Sequence, residues 1–338
     1  MSPALTTAPT APTAPAAPGV AAAPPTAVSD DDTRLAHELA VIATFAQRAR
    51  RRRQLRDAAL GVLGIALFVV AWEGVKRLGG PDSTVLGWRM PISTDDASMP
   101  HLWTVLQRLS EPEVRGNGRT VFAAVASGMW FSFRLAIAGF VVGVLVGLGL
   151  AIVMQRFKFV ERAWSPYVVL SQTVPLIALA PLIVGLVGQI KIGGVQGKPW
   201  MSVVAMSAYL SFFPVAVGAL RGLQSPQPQS LELMQSFAAS SRQTLVKLRF
   251  PAAVAYLLPA LKLAAAASIV GAIVAEISSG MAGGIGRLIL DYFQKATGDP
   301  ARVFTAFLGA AALGLIVASL INALEKLLLR NRPKMEVA

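Results

Sequence analysis

The chain has 338 residues, 54% hydrophobic and 14% charged, with a net charge of +13, two histidines and no cysteine. That balance is too apolar for an ordinary soluble domain. It excludes disulfides, thiolate metal sites and cysteine nucleophiles, and His37 and His101 lie too far apart in sequence to suggest a metal site.

From the N-terminus, residues 1–33 are dominated by Ala, Pro and Thr and predict a disordered tail. The tail lacks the basic start and apolar run of a signal peptide. Residues 34–57 have helical spacing and end in a basic cluster, Arg50, Arg51, Arg52 and Arg53. They read either as an interfacial helix on anionic membrane lipid or as a topology signal ahead of the first span.

Six apolar stretches follow, over 58–75, 134–154, 166–188, 200–220, 257–278 and 303–324. Each approaches the roughly 20 residues needed to cross a bilayer, and none alternates with the period of a barrel strand. The fold class is therefore an all-α membrane protein with six transmembrane helices. Its parts are a first span with outer loop (58–128), a core (129–329) and a tail (330–338). With the basic cluster inside, both termini are cytoplasmic. The inner loops then hold 18 Lys and Arg against 11 outside, in the sense of the positive-inside rule. In a soluble protein the net charge would point to nucleic acid. Here it is loop charge, and no nucleic-acid partner is expected.

Within the second stretch, Gly139, Gly143 and Gly147 recur every four residues and make a flat face for close helix packing. The third contains Pro175 and Pro181, each of which removes a backbone donor and kinks a helix. Broken helices line solute paths in transporters, so Gln172, Thr173, Pro175 and Pro181 are candidates for such a path; kinks serve packing as well. Glu276, near the outer end of the fifth stretch, is a costly acid in an apolar run. It is either a further path residue or a group that reaches the interface or a loop amide. Two glycine-rich segments read as flexible outer loops. One, "GGVQGKPW" (193–200), fails as a phosphate loop: Ile192 stands where the first Gly belongs, and Pro199 where Ser or Thr must follow the Lys. The other is "GMAGGIG" (280–286). No catalytic constellation is present.

Between the fourth and fifth stretches lies a coupling segment, 224–256, that is polar yet ordered. "QSPQPQ" (224–229) breaks the preceding helix. Ser230 can cap a new helix with Glu232 in its first turn, and Leu231, Met234, Phe237 and Ala238 share a face. Ser240 and Gln243 have capping-box spacing and start a second helix at a new angle. Leu245 and Leu248 form its apolar side, Arg242, Lys247 and Arg249 lie outside, and Pro251 ends it. This two-helix knuckle offers apolar side chains and no chemistry, which reads as a dock for another protein.

The segment resembles the EAA loop of permease subunits of ATP-binding-cassette importers: Glu-Ala-Ala, three residues, Gly, nine residues, Ile-x-Leu-Pro. Glu232 takes the Glu position, Ala238 the Gly position, and Leu248, Arg249, Phe250 and Pro251 match the closing motif. Leu233 and Met234 replace the two alanines. Ala at the Gly position leaves room for the bend to be placed differently. The likeness covers about 100–330 and is greatest to the nitrate, sulfonate and taurine permease group, on "TVPLIALAPLIVGLVG" (173–188) and "PALKLAAAASIVGAIVAEISSGMAGGIG" (259–286). The first 55 residues and the insertion at 189–199 fall outside it. The resemblance implies a type I importer permease in a bacterial plasma membrane, paired with a second copy of itself. It implies separate ATPase subunits on the knuckle, at Glu232, Met234, Phe237, Ala238, Ser240, Arg242, Leu248 and Pro251, and an extracytoplasmic substrate-binding protein. The chain itself would be non-catalytic, need no cofactor or metal, and carry a small anion such as nitrate, a sulfonate or taurine, the default of the group, with riboflavin or pyrimidine-like compounds as the alternative. The competing reading is a secondary carrier driven by an ion gradient, for which Lys262 and Glu276 are the mid-span ionisable residues.

Overall fold

A computed structural model of the chain describes residues 59–78, 94–114, 118–192 and 195–328, with residues 52, 55 and 56 and the two-residue strands at 84–85 and 88–89. The tail expected at 1–33, nearly all of the basic helix expected at 34–57 and the tail expected at 330–338 lie outside the described residues. The chain divides into two compact units, Met1–Val70 and Ala71–Ala338. The described residues of the first are helical.

The helices, in order, are α1 (Ala59–Leu78), α2 (Leu102–Ser110), α3 (Val121–Arg156), α4 (Lys158–Leu170), α5 (Leu176–Gln189), α6 (Pro199–Gln224), α7 (Pro228–Ser236), α8 (Ser241–Thr244), α9 (Phe250–Ser279), α10 (Ile285–Gln294) and α11 (Pro300–Leu328). Two small antiparallel hairpins interrupt them, β1 (Thr84–Val85) with β2 (Trp88–Arg89) and β3 (Lys191–Ile192) with β4 (Val195–Gln196). The segment after α5, expected as a flexible loop, thus folds back on itself, and Gly197 N–H donates to Ile190 O at 2.9 Å.

Helix starts follow the sequence chemistry. Thr120 Oγ1 accepts from Ala123 N–H at 3.2 Å and caps α3. Pro199, Pro228 and Pro300 stand in the first turns of α6, α7 and α11, where a missing N–H costs nothing. Ser230 therefore does not cap α7, which begins two residues earlier at Pro228.

Five helical segments among the described residues are long and apolar enough to span a membrane: α1, α3, α6, Ser241–Ser279 and α11. The third expected span, 166–188, is instead two helices, α4 and α5, separated at 171–175. The proline explains the break. Pro175 cannot donate, and it disfavours helical backbone at Val174, so the helix stops and restarts after it. Pro181 lies inside α5 without ending it. The fifth expected span is longer than its apolar stretch, because α8 continues into α9 through a wide π-type turn, Leu245–Arg249. Phe250 N–H reaches back to Leu245 O there. A turn of that width accommodates the ring of Pro251, which in a regular helix strikes the carbonyl four residues earlier. Pro251 thus lies in the first turn of α9 and does not terminate the knuckle helix.

The core is the packing of α3 against α6 and of α6 against α9. Gly139, Gly143 and Gly147 are all buried and face α6. A Cβ there would stand 2.7 Å from Val204 O, 2.7 Å from Ala208 O and 2.6 Å from Phe212 O respectively. Across the α6–α9 seam, a Cβ on Gly222 would meet Ala253 Cα at 2.8 Å, and one on Gly271 would meet Met206 O at 2.9 Å. Small residues let the backbones touch, which in lipid replaces the hydrophobic effect as the attraction between helices.

Gly143→Val is expected to overpack the α3–α6 seam by about 1–3 kcal/mol or more. Thermal unfolding in detergent should show a midpoint lower by several degrees. Gly149, with nothing within 4 Å of an added Cβ, should accept Ala with no loss. Equal midpoints for Gly143→Val and wild type would contradict this account of the core.

Candidate functional site

The knuckle joining α6 to α9 is built from a helix stop and a helix start. α7 ends with Ala239 N–H bonded to Met234 O at 3.0 Å and Ala238 N–H to Gln235 O at 2.8 Å. That pair of bonds is a Schellman motif. It requires a left-handed residue after the cap, and Ala238 supplies it with φ 50°. The bend therefore stays where the EAA pattern has its Gly, even though Ala in that conformation costs about 1–2 kcal/mol. Two residues on, Ser240 Oγ accepts from Gln243 N–H at 3.3 Å and Gln243 Oε1 accepts from Ser240 N–H at 2.8 Å. The capping box is formed as its spacing predicts.

The knuckle is seated firmly. Arg249 Nη1 donates to Leu223 O at 2.7 Å, satisfying a carbonyl in the last turn of α6. Ala151, Ala219, Leu223 and Ala253 form a small core beneath it, with Leu245 and Phe250 packed on top. Leu231, Met234 and Leu248 are half-buried. Phe237 is 76% exposed and Leu233 57%, so the protruding apolar pair is Leu233 with Phe237, one turn apart. Sequence reasoning placed Phe237 there and missed Leu233, although their four-residue spacing was available. Glu232, Ala238, Ser240, Arg242 and Pro251 are exposed as well.

A second feature is the break between α4 and α5. Its backbone is satisfied locally. Ser171 Oγ donates to Val168 O at 2.7 Å, Thr173 Oγ1 to Leu170 O at 2.8 Å, and Tyr209 Oη to Ser171 O at 2.6 Å. Irregular backbone at membrane depth needs this kind of repair. A groove of about 230 Å³ opens beside the break, lined by Ser171, Gln172, Leu176, Tyr209, Phe213 and Leu263 among others. It adjoins a second, of about 420 Å³, which shares Phe213, Pro214 and Leu263 and adds Tyr256 and Arg221. Gln172 thus faces the groove. Pro175 sets the break, Thr173 is spent on it, and Pro181 is exposed on α5 away from the groove. Tyr209 and Phe213 were not anticipated, since in sequence they look like any apolar helix.

Glu276 does not line either groove. It is wholly buried among α3, α9 and α10. Its Oε2 accepts from Gly286 N–H at 2.9 Å, and Ser132 Oγ lies 2.7 and 2.8 Å from its two oxygens. This is the loop-amide alternative, with a serine added. The segment 280–286 is accordingly not a flexible loop. Gly280 and Gly283 hold φ of 64° and 112°, which only glycine adopts freely. Gly284 and Gly286 leave space that the Glu276 side chain fills. Lys262 is ion-paired with Glu325 of α11. Among the described residues there is no cluster of three or more side chains able to hold a metal ion.

Residues 119–330 match the family described as binding-protein-dependent transport system inner membrane component. Among individual relatives, the formylaminopyrimidine transport permease protein ThiX of Halalkalibacterium halodurans is 32% identical over 199 residues, 58% of this chain and 74% of that one. The riboflavin transport system permease protein RibX of Chloroflexus aurantiacus is 26% identical over 61% of this chain and 75% of its own. The nitrate import permease protein NrtB of Synechocystis is 23% identical over 65% and 73% respectively.

The strain at Ala238 generates a test. Ala238→Gly should relieve about 1 kcal/mol, roughly a fivefold drop in local opening. Hydrogen exchange at Ala239 N–H, which closes the motif on Met234 O, should slow accordingly. Ala238→Val, β-branched in a left-handed conformation, should speed it. Unchanged exchange in both would mean that the bend is not strained.

Proposed function

The chain belongs to the binding-protein-dependent transport system inner membrane component family, the permease subunits of ATP-binding-cassette importers of small solutes, and from that premise we propose how it works. Two copies form the solute path in a bacterial plasma membrane, with both termini of each in the cytoplasm. An extracytoplasmic binding protein delivers the solute, and a separate ATPase subunit seats on each knuckle. The chain has no catalytic role of its own; it converts the ATPase stroke into movement of its helices. The observation that carries this reading is the exposed Leu233–Phe237 pair. It stands on a bend fixed by backbone bonds, at the end of a helix that runs without interruption from Ser241 to Ser279.

For the solute, the resemblance points to a small anion such as nitrate, a sulfonate or taurine, and the start of α5 beside the groove favours negative charge. One observation favours a second reading, a planar uncharged heteroaromatic. The groove at the break is lined by Tyr209, Phe213 and Gln172 and by no charged side chain. Arg221 is eight residues beyond Phe213 along α6, about 12 Å by helical rise. Aromatic faces and an amide suit stacking and neutral hydrogen bonds. Two of the relatives, named for formylaminopyrimidine and riboflavin, serve solutes of that kind.

The decisive experiment is co-purification of the ATPase with uptake in membrane vesicles. Phe237→Asp would bury an unpaired charge in the ATPase contact, which costs several kcal/mol, or at least a hundredfold in subunit affinity. ATPase and uptake should both be lost while the chain still inserts. Charge reversal at Lys158 should do much less. If Phe237→Asp keeps both at wild-type levels, the knuckle is not the coupling element. The same vesicles, offered nitrate, taurine and an aminopyrimidine, decide between the solute classes by which is accumulated.

The orientation is tested with single cysteines. A cysteine at Ser98, exposed after α1, should react with an impermeant reagent from outside, and one at Glu336 only after the membrane is opened. The reverse pattern would invert the assigned topology.

A further inference from the structure

The helix that starts in the knuckle does not simply end at the other side. Ser241–Ser279 is a continuous run of 39 residues, about 58 Å at 1.5 Å per residue. Six residues beyond it, α10 begins, and the link between them contains Gly280, Gly283 and Gly284. Left alone, such a link would absorb movement of α9 without passing it on. Glu276 removes that freedom. The residue at the cap position of α10, Gly284, has no side chain to receive the first N–H groups of the helix. They are received by two other helices. Ile285 N–H donates to Ser132 Oγ of α3 at 2.9 Å, and Gly286 N–H donates to Glu276 Oε2 of α9 at 2.9 Å. Ser132 Oγ–H in turn donates to the Glu276 carboxylate. Glu276 and Ser132 are both fully buried, so water cannot replace any of these bonds.

The far end of α10 is fixed as well. Tyr292 Oη donates to Glu113 Oε1 at 3.0 Å, and the Arg302 guanidinium stands 4.6 Å over the Tyr292 ring. Burial and the neighbouring Glu113 carboxylate both push the Tyr292 phenol up, so it remains a donor. Arg302 Nη1 also donates to Glu113 O at 2.8 Å. α10 is thus a rigid bar mounted at its N-terminus on α9 and α3 and at its C-terminus on the segment before α3 and on α11.

We propose that Glu276 is a positioning residue of the transport cycle: its buried carboxylate clamps α10 to the end of the Ser241–Ser279 helix, so that movement imposed at the knuckle arrives at α10 on the opposite face. This rests on the knuckle being the ATPase seat. A carboxylate suits the place because the two groups bonded to it, Ser132 Oγ–H and Gly286 N–H, are donors at the positive end of a helix. A glutamine amide of the same shape would turn an NH₂ toward one of them. Ser132 is the second arm of the clamp, since it joins Ile285 to the carboxylate.

The test uses the whole transporter, permease with its ATPase subunits and binding protein, reconstituted in liposomes, with solute accumulated per ATP hydrolysed as the readout. Glu276→Gln and Ser132→Ala are expected to keep the ATPase bound and its basal hydrolysis intact. Accumulation per ATP should fall at least tenfold. Ser132→Thr, which keeps the hydroxyl, should stay within about twofold of wild type. A spin label at Phe293, 65% exposed on α10, paired with one at Ser236 on the knuckle, should report a distance change between nucleotide-free and trapped states in wild type and lose it in Ser132→Ala. Should Glu276→Gln not be recovered from membranes, the Ser132 pair and the distance measurement stand alone. Wild-type accumulation per ATP in Ser132→Ala, or an unaltered distance change, overturns the clamp while leaving the importer reading in place. Loss of the ATPase from both variants also overturns it, since the effect would then be on the fold as a whole. Failure of wild type to couple uptake to ATP would instead sink the importer reading beneath it.

Discussion

Direct contact between helix backbones governs this molecule. α3, α6 and α9 meet on Gly139, Gly143, Gly147, Gly222 and Gly271, where a single added carbon would overlap a neighbouring main chain. Bulkier seams would hold the helices farther apart, and the groups that make the rest of the structure would fall out of reach. Arg249 finds the end of α6 only because Gly222 lets Ala253 come close. Glu276 reaches Ser132 only because α3 and α9 are drawn in on α6. The seams are also why so much of the lipid-facing surface is free to be Leu, Val and Phe: the attraction is made by shape and not by hydrophobicity, which has no gradient in a bilayer.

Much of this was legible in the sequence, and the reasons differ from element to element. The glycine face, the capping box at Ser240 and the knuckle between two spans are local patterns, and local patterns carry their own partners. The broken third span was half legible. Its prolines announce an irregularity, yet Pro175 ends a helix and Pro181 does not, and that difference depends on what the freed backbone finds nearby. Ser171, Thr173 and Tyr209 supply the repair at the first proline, and Tyr209 lies 38 positions from its acceptor in the chain. Glu276 was legible as unusual and illegible in role, because Ser132 lies 144 residues away. No spacing rule links them. Ala238 misled in the opposite direction. A residue that resists the left-handed conformation adopts it, because two backbone bonds outweigh the strain.

Lys262 and Glu276 are the ionisable groups on which a carrier reading of this chain turns. A carrier needs such groups to take up and release an ion or proton as the cycle turns. Here Lys262 is occupied by Glu325 and Glu276 by Ser132 and Gly286. Both arrangements join one helix to another, and neither opens on the groove beside Tyr209. Their chemistry is that of fasteners, which suits a subunit whose energy comes from elsewhere.

The wide turn at Leu245–Arg249 has a geometric consequence. A turn closed over five residues holds one residue more than a regular one, and each residue of an α-helix advances the side-chain direction by about 100°. Counting faces straight through from Ser241 to Ser279 therefore assigns every position beyond Arg249 to a direction about a quarter-turn wrong. The knuckle and the membrane part of this helix are a single shaft with two angular zeros. Drawing that turn in to regular pitch with every residue kept would leave the shaft helical and its seams intact, while swinging Leu233 and Phe237 about a quarter-turn around its axis.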